Sequence, residues 1–305
     1  LDYCVAASFK HTAPAGVGTS KLYISTNESI IYDIKPELDI DSSASARAFI
    51  RARNSDALSS FGDFVAISDT VDETCAKLIK REVSDGIIAK DYTPEALIIL
   101  SKKKKGKYII LKGNYNINIK NIKNNSIEYR EIFGVALAQK VNTEKVDDSY
   151  FTNIPTIRNE LQEHKKEDLI LANTTLKYTP SNSIVVSNNY QVIGVGAGQQ
   201  NRVDCIKIAG SKALTFNMRF HPKCIELIEK FKPEVKRQDK VNAIIKYIHN
   251  DFLDNELVRW RDLFTEPDTI ELFTEKEKLI FQTDLSELCL SSDGFFPFRD
   301  NIDYA

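Results

Sequence analysis

At 305 residues the chain can bury a sizeable core, and its length alone suggests about two domains. A hydrophobic share of 42%, a charged share of 28% and a formal net charge of -2 carry no global bias toward nucleic acid or an anionic membrane, so any anion site must be local. Apolar runs fall short of the roughly 18 residues a membrane span needs, and no charged-then-apolar leader is legible. Five scattered cysteines (Cys4, Cys75, Cys205, Cys224 and Cys289) are odd in number and lack framework spacing, which implies reduced thiols and a cytoplasmic location.

In chain order, the bounded apolar run Tyr3 to Phe9 reads as a buried strand of an α/β sheet, ended by a turn marked by Pro14 and Gly16. At its end stand Lys10 and His11. Neighbouring side chains on a regular strand face opposite ways, so both can serve one ligand only where the strand has already broken. On the residues alone, an active-site pair and a solvated lysine beside a loop histidine are both open. Thr70 and Glu73 stand in capping-box spacing ahead of a helix that puts Val71, Cys75, Leu78, Ile79 and Val83 on one face. A short strand around Ile87 and Ile88 follows, then Thr93 as N-cap and Pro94 at the first position of a helix that Gly106 stops. Lys102 to Lys105 complement the dipole at the end of that helix and read as a solvated terminus rather than a phosphate patch.

"KYIIL" continues as a strand, and "GNYNINIKNIKNNSIEYR", rich in Asn, Ile and Lys, fits a connector. "KKEDLILANTTLKYT" is helical, "NSIVVS" and "YQVIGVG" are strands joined at Asn188 and Asn189, and "QNRVDCIKIAGSKAL" returns to helix, so that helix, hairpin and helix recur in both halves. The charged, helical region from about 219 to 285, with Trp260 and Phe264 four apart, reads as an insertion packed on the outside. The expected organisation is a first α/β subdomain over 1–112, a connector over 113–165 and a second α/β subdomain over 166–305 that carries the insertion.

Several segments have the composition of a site. "GVGAGQQNR" places alternating glycines after a strand and ends on Arg202. The Rossmann spacing is not met, yet backbone N–H groups could approach a ligand there and the guanidinium could fork a carboxylate or phosphate; a tight strand-to-helix joint is the plain alternative. "HPKC" invites a zinc reading that the missing second cysteine argues against. His164 and His249 lie in charged helical surroundings and read as surface residues. "SSFGDF" and "SSDGFFPFRDN" mix small, aromatic and acidic residues around glycine, as core or as the wall of a flat ring site.

Together these segments resemble the AICAR transformylase family, the formyltransferase of purine biosynthesis that is usually fused to IMP cyclohydrolase. "ASFKHTAPAG", "SSFGDFVAISD", "REVSDGIIA", "PEALIILSKKKKGKY", "LKYTPSNS", "QVIGVGAGQQNR" and "SSDGFFPFRDNID" occur in the family's order and at about its spacing. The resemblance implies two cytidine-deaminase-like three-layer α/β/α subdomains, a homodimer with shared active sites, and formyl transfer from the co-substrate 10-formyltetrahydrofolate to the 5-amino group of AICAR ribotide. By resemblance His11 is the catalytic base and Lys10 stabilises the transition state, with Asn182 reaching the reacting amine from the other subunit. The acceptor amine is conjugated and must lose a proton as it attacks, which a neutral imidazole accepts; the lysinium beside it disfavours a second positive charge on the ring and can face the developing oxyanion. Gly62, Asp85, Arg202 and Phe295 match AICAR-binding positions, Val203 and Asp300 match folate-binding positions, and Leu58, Phe61, Pro297 and Phe298 would wall the pterin slot. Asp293 matches a position that helps bind a structural potassium ion of the family. The family's "LRYG" and "NPHQ" elements, its closing "PSGS" to "HTNLRLF" segment and its cyclohydrolase domain are not in the sequence, Lys90-Asp91 replaces a Pro-Gly, and Gly294 replaces an alanine. The alternative expectation is therefore a truncated, non-catalytic purine-ribotide or folate-binding module.

Overall fold

A computed structural model describes residues 3–113, 126–157, 159–253, 255–283 and 285–305. Within the connector read over 113–165, residues 114–125 and 158 lie outside the described residues, as do residues 1 and 2.

The chain is α/β, built on one eight-stranded sheet. Its strands are β1 (Val5–Lys10), β2 (Ala13–Thr19), β3 (Asp63–Val71), β4 (Ser84–Tyr92), β5 (Ile109–Lys112), β8 (Ser183–Asn188), β9 (Gln191–Ala197) and β10 (Cys289–Ser292). The order across the sheet is β10-β8-β9-β2-β1-β3-β4-β5, with only the β3–β4 and β4–β5 pairs parallel. A separate ribbon, β6 (Ile127–Ile132) with β7 (Val135–Lys140), stands fully exposed. The two halves of the sheet meet where Val17 and Gly18 of β2 pair with Val192 and Gln191 of β9.

Helices α1 (Thr26–Ile31), α2 (Ala44–Ser55), α3 (Glu73–Arg81) and α4 (Pro94–Ser101) belong to the first half. Leu78 and Ile79 of α3 and Ala96 and Leu100 of α4 join Phe49 and Ile50 of α2 against Val65, Ile67 and Ile87 of the sheet. In the second half α5 (Glu163–Leu176) and α6 (Arg202–Met218) sandwich the β8–β9 hairpin, because alternate strand residues face opposite ways: Val185 packs with Leu171 of α5, Ile184 and Val186 with Ile206 of α6.

The region 219–285 folds as α7 (Pro222–Glu229), α8 (Arg237–His249), α9 (Glu256–Arg261) and α10 (Glu275–Thr283) around its own apolar cluster. Trp260 and Phe264 sit there with ring centroids 4.7 Å apart. A last short helix, α11 (Asp300–Tyr304), follows β10.

Three local readings change. The α3 N-cap is Asp72, whose carboxylate accepts from the Cys75 amide at 2.9 Å; Thr70 and Val71 belong to β3, and Val83 lies beyond the helix and is exposed. The hairpin of the first half is β1–β2, turning at His11 and Thr12, so Pro14 and Gly16 lie inside β2 rather than in a turn. The glycines are there for α2: a Cβ on Gly16 would sit 2.3 Å from the Ser55 Cβ, and one on Gly18 2.5 Å from the Ala52 amide nitrogen. At the end of α4, Lys104 and Lys105 adopt left-handed backbone, and the run is only partly solvated, since Lys103 Nζ donates to the Glu82 carbonyl.

Gly18→Ala therefore forces α2 off the sheet. We expect a loss of about 1–3 kcal/mol, read as a lower urea midpoint at unchanged slope.

Candidate active site

Strand directions bring the candidate residues to one edge of the sheet. β1, β9 and β10 end there and β2, β3, β4 and β8 begin there, so Lys10, Asp63, Ser84, Ser183, Ala197 and Ser292 share that edge.

β1 ends at Lys10, and His11 takes a left-handed backbone (φ 56°) in the turn to β2, exposed to solvent. The strand has thus broken between the two residues, which frees the imidazole from the alternation that would oppose it to Lys10. Lys10 Nζ donates to the carbonyl of Phe61, and to that of Gly62 at 3.4 Å, so the loop ahead of β3 receives the ammonium. Gly62 has φ 76°, and a Cβ there would come 3.2 Å from Lys10 Nζ. Leu58 and Phe61 in this loop remain largely exposed despite their apolar side chains. Asp85, one residue into β4, pairs with Lys104. The hydrogen bond from Lys104 holds its carboxyl below the usual range, and the charge of Lys10 adds to the effect.

The other predicted residues gather around an open cleft of about 610 Å³, lined by Asn182, Arg202, Val203, Phe295, Pro297, Phe298 and Asp300 among others. Arg202, at the start of α6, donates to Asn182 Oδ1 at 2.9 Å and to Ser292 Oγ at 3.0 Å, and pairs with Asp293. Asn182 Nδ2 donates to the Gln199 carbonyl at 3.1 Å, while Gly198 N (2.8 Å) and Cys205 Sγ (3.0 Å) both donate to the Asn182 backbone carbonyl. Phe295 and Phe298 are exposed at 84% and 72%, which makes them a wall and not core; Phe296 between them turns inward against the α6 cluster.

Among the described residues the two groups have different hydrogen-bond partners. The side-chain hydrogen bonds of Asn182 go to Gln199 and Arg202, and those of Lys10 to the 61–62 loop.

Asp293, matched to the family's potassium ion, lies beside Arg202. Its Oδ1 accepts from the Ser183 amide at 3.0 Å and pairs with the Arg202 guanidinium. Burial alone would raise this carboxyl, but hydrogen bonds from Ser181, Arg202 and Ser183 hold it below the usual range. His221 of "HPKC" caps α7, its Nδ1 accepting from the Lys223 amide at 3.1 Å, and its ring packs edge-on against Phe273 and Phe281.

Sequence reasoning missed the charged layer beneath the 58–62 loop. Arg53 of α2, 2% exposed, lies 2.6 Å from Asp63 Oδ1 and 3.6 Å from Glu82 Oε2, and Glu82 Oε1 is 2.7 Å from Arg237 Nε of α8. Arginines midway along a helix give no such signal, because their partners lie far along the chain.

A model of the AICARFT/IMPCHase bienzyme family matches residues 2–212. The chain belongs to that family. It is 35% identical over 166 residues to the bifunctional purine biosynthesis protein PurH of Bartonella tribocorum, covering 54% of this chain and 30% of that protein. It is 32% identical over 208 residues to the PurH of Bacillus subtilis, covering 68% of this chain and 35% of that one, and 34% identical over 172 residues to the PurH of Aquifex aeolicus, covering 55% and 31%. The chain thus spans about a third of the length of the curated relatives it matches. The family match takes in Lys10, His11, the 58–62 loop, Asp85, Asn182 and Arg202; the aromatic wall of 295–298 lies beyond it.

Burial by itself would raise the Glu82 carboxyl, but Arg237, Arg53 and Arg81 outweigh that and hold it below its ordinary 4.5. Its contribution to stability is therefore complete above that pH and is lost as pH falls through the depressed folded value. We expect Glu82→Gln to cost about 3–5 kcal/mol at neutral pH and to shrink the fall of Tm with acid, checked by thermal melts across the acid range.

Proposed function

We propose that this chain carries the formyl-transfer half of the bienzyme, moving the formyl group of 10-formyltetrahydrofolate to the 5-amino group of AICAR ribotide. The observation that carries this reading is the β1–β2 turn, where a solvent-facing imidazole adjoins an ammonium held on the carbonyls of Phe61 and Gly62. A neutral His11 would take the proton that the amine sheds as it attacks the formyl carbon. Lys10 would face the oxyanion formed on the formyl oxygen, or hand a proton to the departing folate nitrogen. Arg202 is the cation on the far wall suited to an anionic group of either substrate. Pro297 and Phe298, with Leu58 and Phe61, offer the apolar surface a pterin needs, beside Val203 and Asp300, while Phe295 would meet the ribotide. Asp85 and Gly62 lie on the Lys10 side, where a carboxylate and a bare backbone would meet the ribotide.

Each half of the sheet is read as a cytidine-deaminase-like subdomain, with the assembly a cytoplasmic homodimer fused to a cyclohydrolase in the parent protein. In a shared site Asn182, whose side chain here bonds Gln199 and Arg202, would act at the partner's turn. The apolar sheet face formed by Phe64, Ala66, Ile88, Ile109 and Leu111, which no described helix covers, supports sharing of sites between copies; Ile109 and Leu111 are exposed.

Formyl transfer assayed with the full chain tests the proposal. His11→Ala should lower kcat about 10²–10⁴-fold and Lys10→Ala about 10²–10³-fold. Wild-type turnover in the histidine variant would reject its role as base. The non-catalytic module draws on the engagement of Arg202 by Asp293 and Asn182, which withholds the cation from a ligand. Calorimetric binding of AICAR ribotide without any formyl transfer would favour it.

A further inference from the structure

We infer that Asp63, clamped by Arg53, is the positioning residue for Lys10; this rests on the transferase reading of Lys10. The ammonium of Lys10 is located by two backbone carbonyls, those of Phe61 and Gly62, so its place depends on what fixes that backbone. Arg53 fixes it from below. It donates to the Ser60 carbonyl and, at 3.1 Å, to the Val83 carbonyl, which also accepts the Gly62 amide at 2.9 Å. The same guanidinium lies 2.6 Å from Asp63 Oδ1. The second oxygen of Asp63 accepts from Ser8 Oγ at 2.6 Å, and Ser8 precedes Lys10 by two residues on β1. The path closes on itself, from Lys10 to the loop carbonyls, along the loop to Asp63, across to Ser8 and back along the strand.

Arg53, Ser60, Asp63 and Ser8 are all at most 3% exposed, so water does not loosen this lower part of the path. A buried ion pair adds little net stability over apolar packing of the same volume, and direction comes instead from the hydrogen bonds that Arg53 donates to the Ser60 and Val83 carbonyls and Ser8 donates to Asp63. Here they fix the loop that carries the lysine's acceptors relative to the strand that carries the lysine. Misplacing a group by about 1 Å can cost about 100-fold in rate, which gives this path a catalytic consequence.

The test uses Ser8→Ala, which deletes one hydroxyl and leaves both Lys10 and the Arg53–Asp63 pair in place. We expect kcat to fall about tenfold while KM for both substrates stays within about twofold and the folded fraction, followed by circular dichroism at the assay temperature, is unchanged. In the Lys10→Ala background the same substitution should have no further effect, since there is no ammonium left to place. Asp63→Asn should follow the same pattern with a larger loss. Independent, multiplying losses from Ser8→Ala and Lys10→Ala would overturn this inference alone, as would wild-type turnover in Ser8→Ala or a loss that tracks unfolding. Wild-type turnover in Lys10→Ala would instead overturn the role given to Lys10 and, with it, the need to position it.

Discussion

The close approach of α2 to the sheet is the constraint on which the molecule depends. Gly16 and Gly18 leave no side chain between β2 and the backbone of α2, so the helix lies directly on the strand. From there α2 also reaches β9, where Gln191 Nε2 donates to the Arg51 carbonyl at 3.0 Å and lies 3.2 Å from Ser55 Oγ. The pairing of β2 with β9 is short, and α2 spans the seam as a splint. Because both halves are thereby one sheet, the strand ends that carry the family's segments share an edge instead of facing apart.

The same helix organises the charges. Arg51 turns toward the loop after β2, donating to the carbonyls of Leu22 and Tyr23 and lying 3.1 Å from Glu28. Arg53 turns toward the loop ahead of β3, and Arg219, just beyond α6, donates back to the carbonyl of Asn54. A guanidinium suits each task because its rigid fork meets several acceptors at once, and desolvation leaves none of its protons cheaply unpaired. These loops lack repetitive backbone hydrogen bonding of their own, so side-chain donors hold their carbonyls in place.

Where structure follows from local chemistry, the sequence was legible. Thr93 and Pro94 open α4 as their residue types demand, the Thr93 hydroxyl accepting from the Ala96 amide at 3.2 Å. The β8–β9 hairpin turns where asparagines predict it, though its left-handed residues are Asn189 and Tyr190, one position later than read. β2 escaped because proline and glycine usually signal a turn, and only tertiary packing reveals that these glycines serve a helix. The α3 cap lies two residues beyond the Thr70 capping-box spacing because Asp72 is also a good N-cap residue, and the extension of β3 to Val71 decides between them. Lys10, His11 and the aromatic wall stand out as segments, but their gathering at one sheet edge depends on strand directions that no segment contains. The charged layer below was invisible, since Arg53, Asp63, Glu82 and Arg237 are joined only by folding.

The helical region 219–285 carries no chemistry of its own, yet Arg237 on α8 rests against Glu82 at 2.7 Å and against the carbonyl of Tyr32 at 3.0 Å. Glu82 sits in a dry hollow behind the loop that receives Lys10. Pruning the chain back to a bare sheet would strand that carboxylate short of one of its guanidinium neighbours. The outlying helices are thus electrically wired into the first half of the sheet, and a minimal version must supply a replacement cation or discard the acid as well.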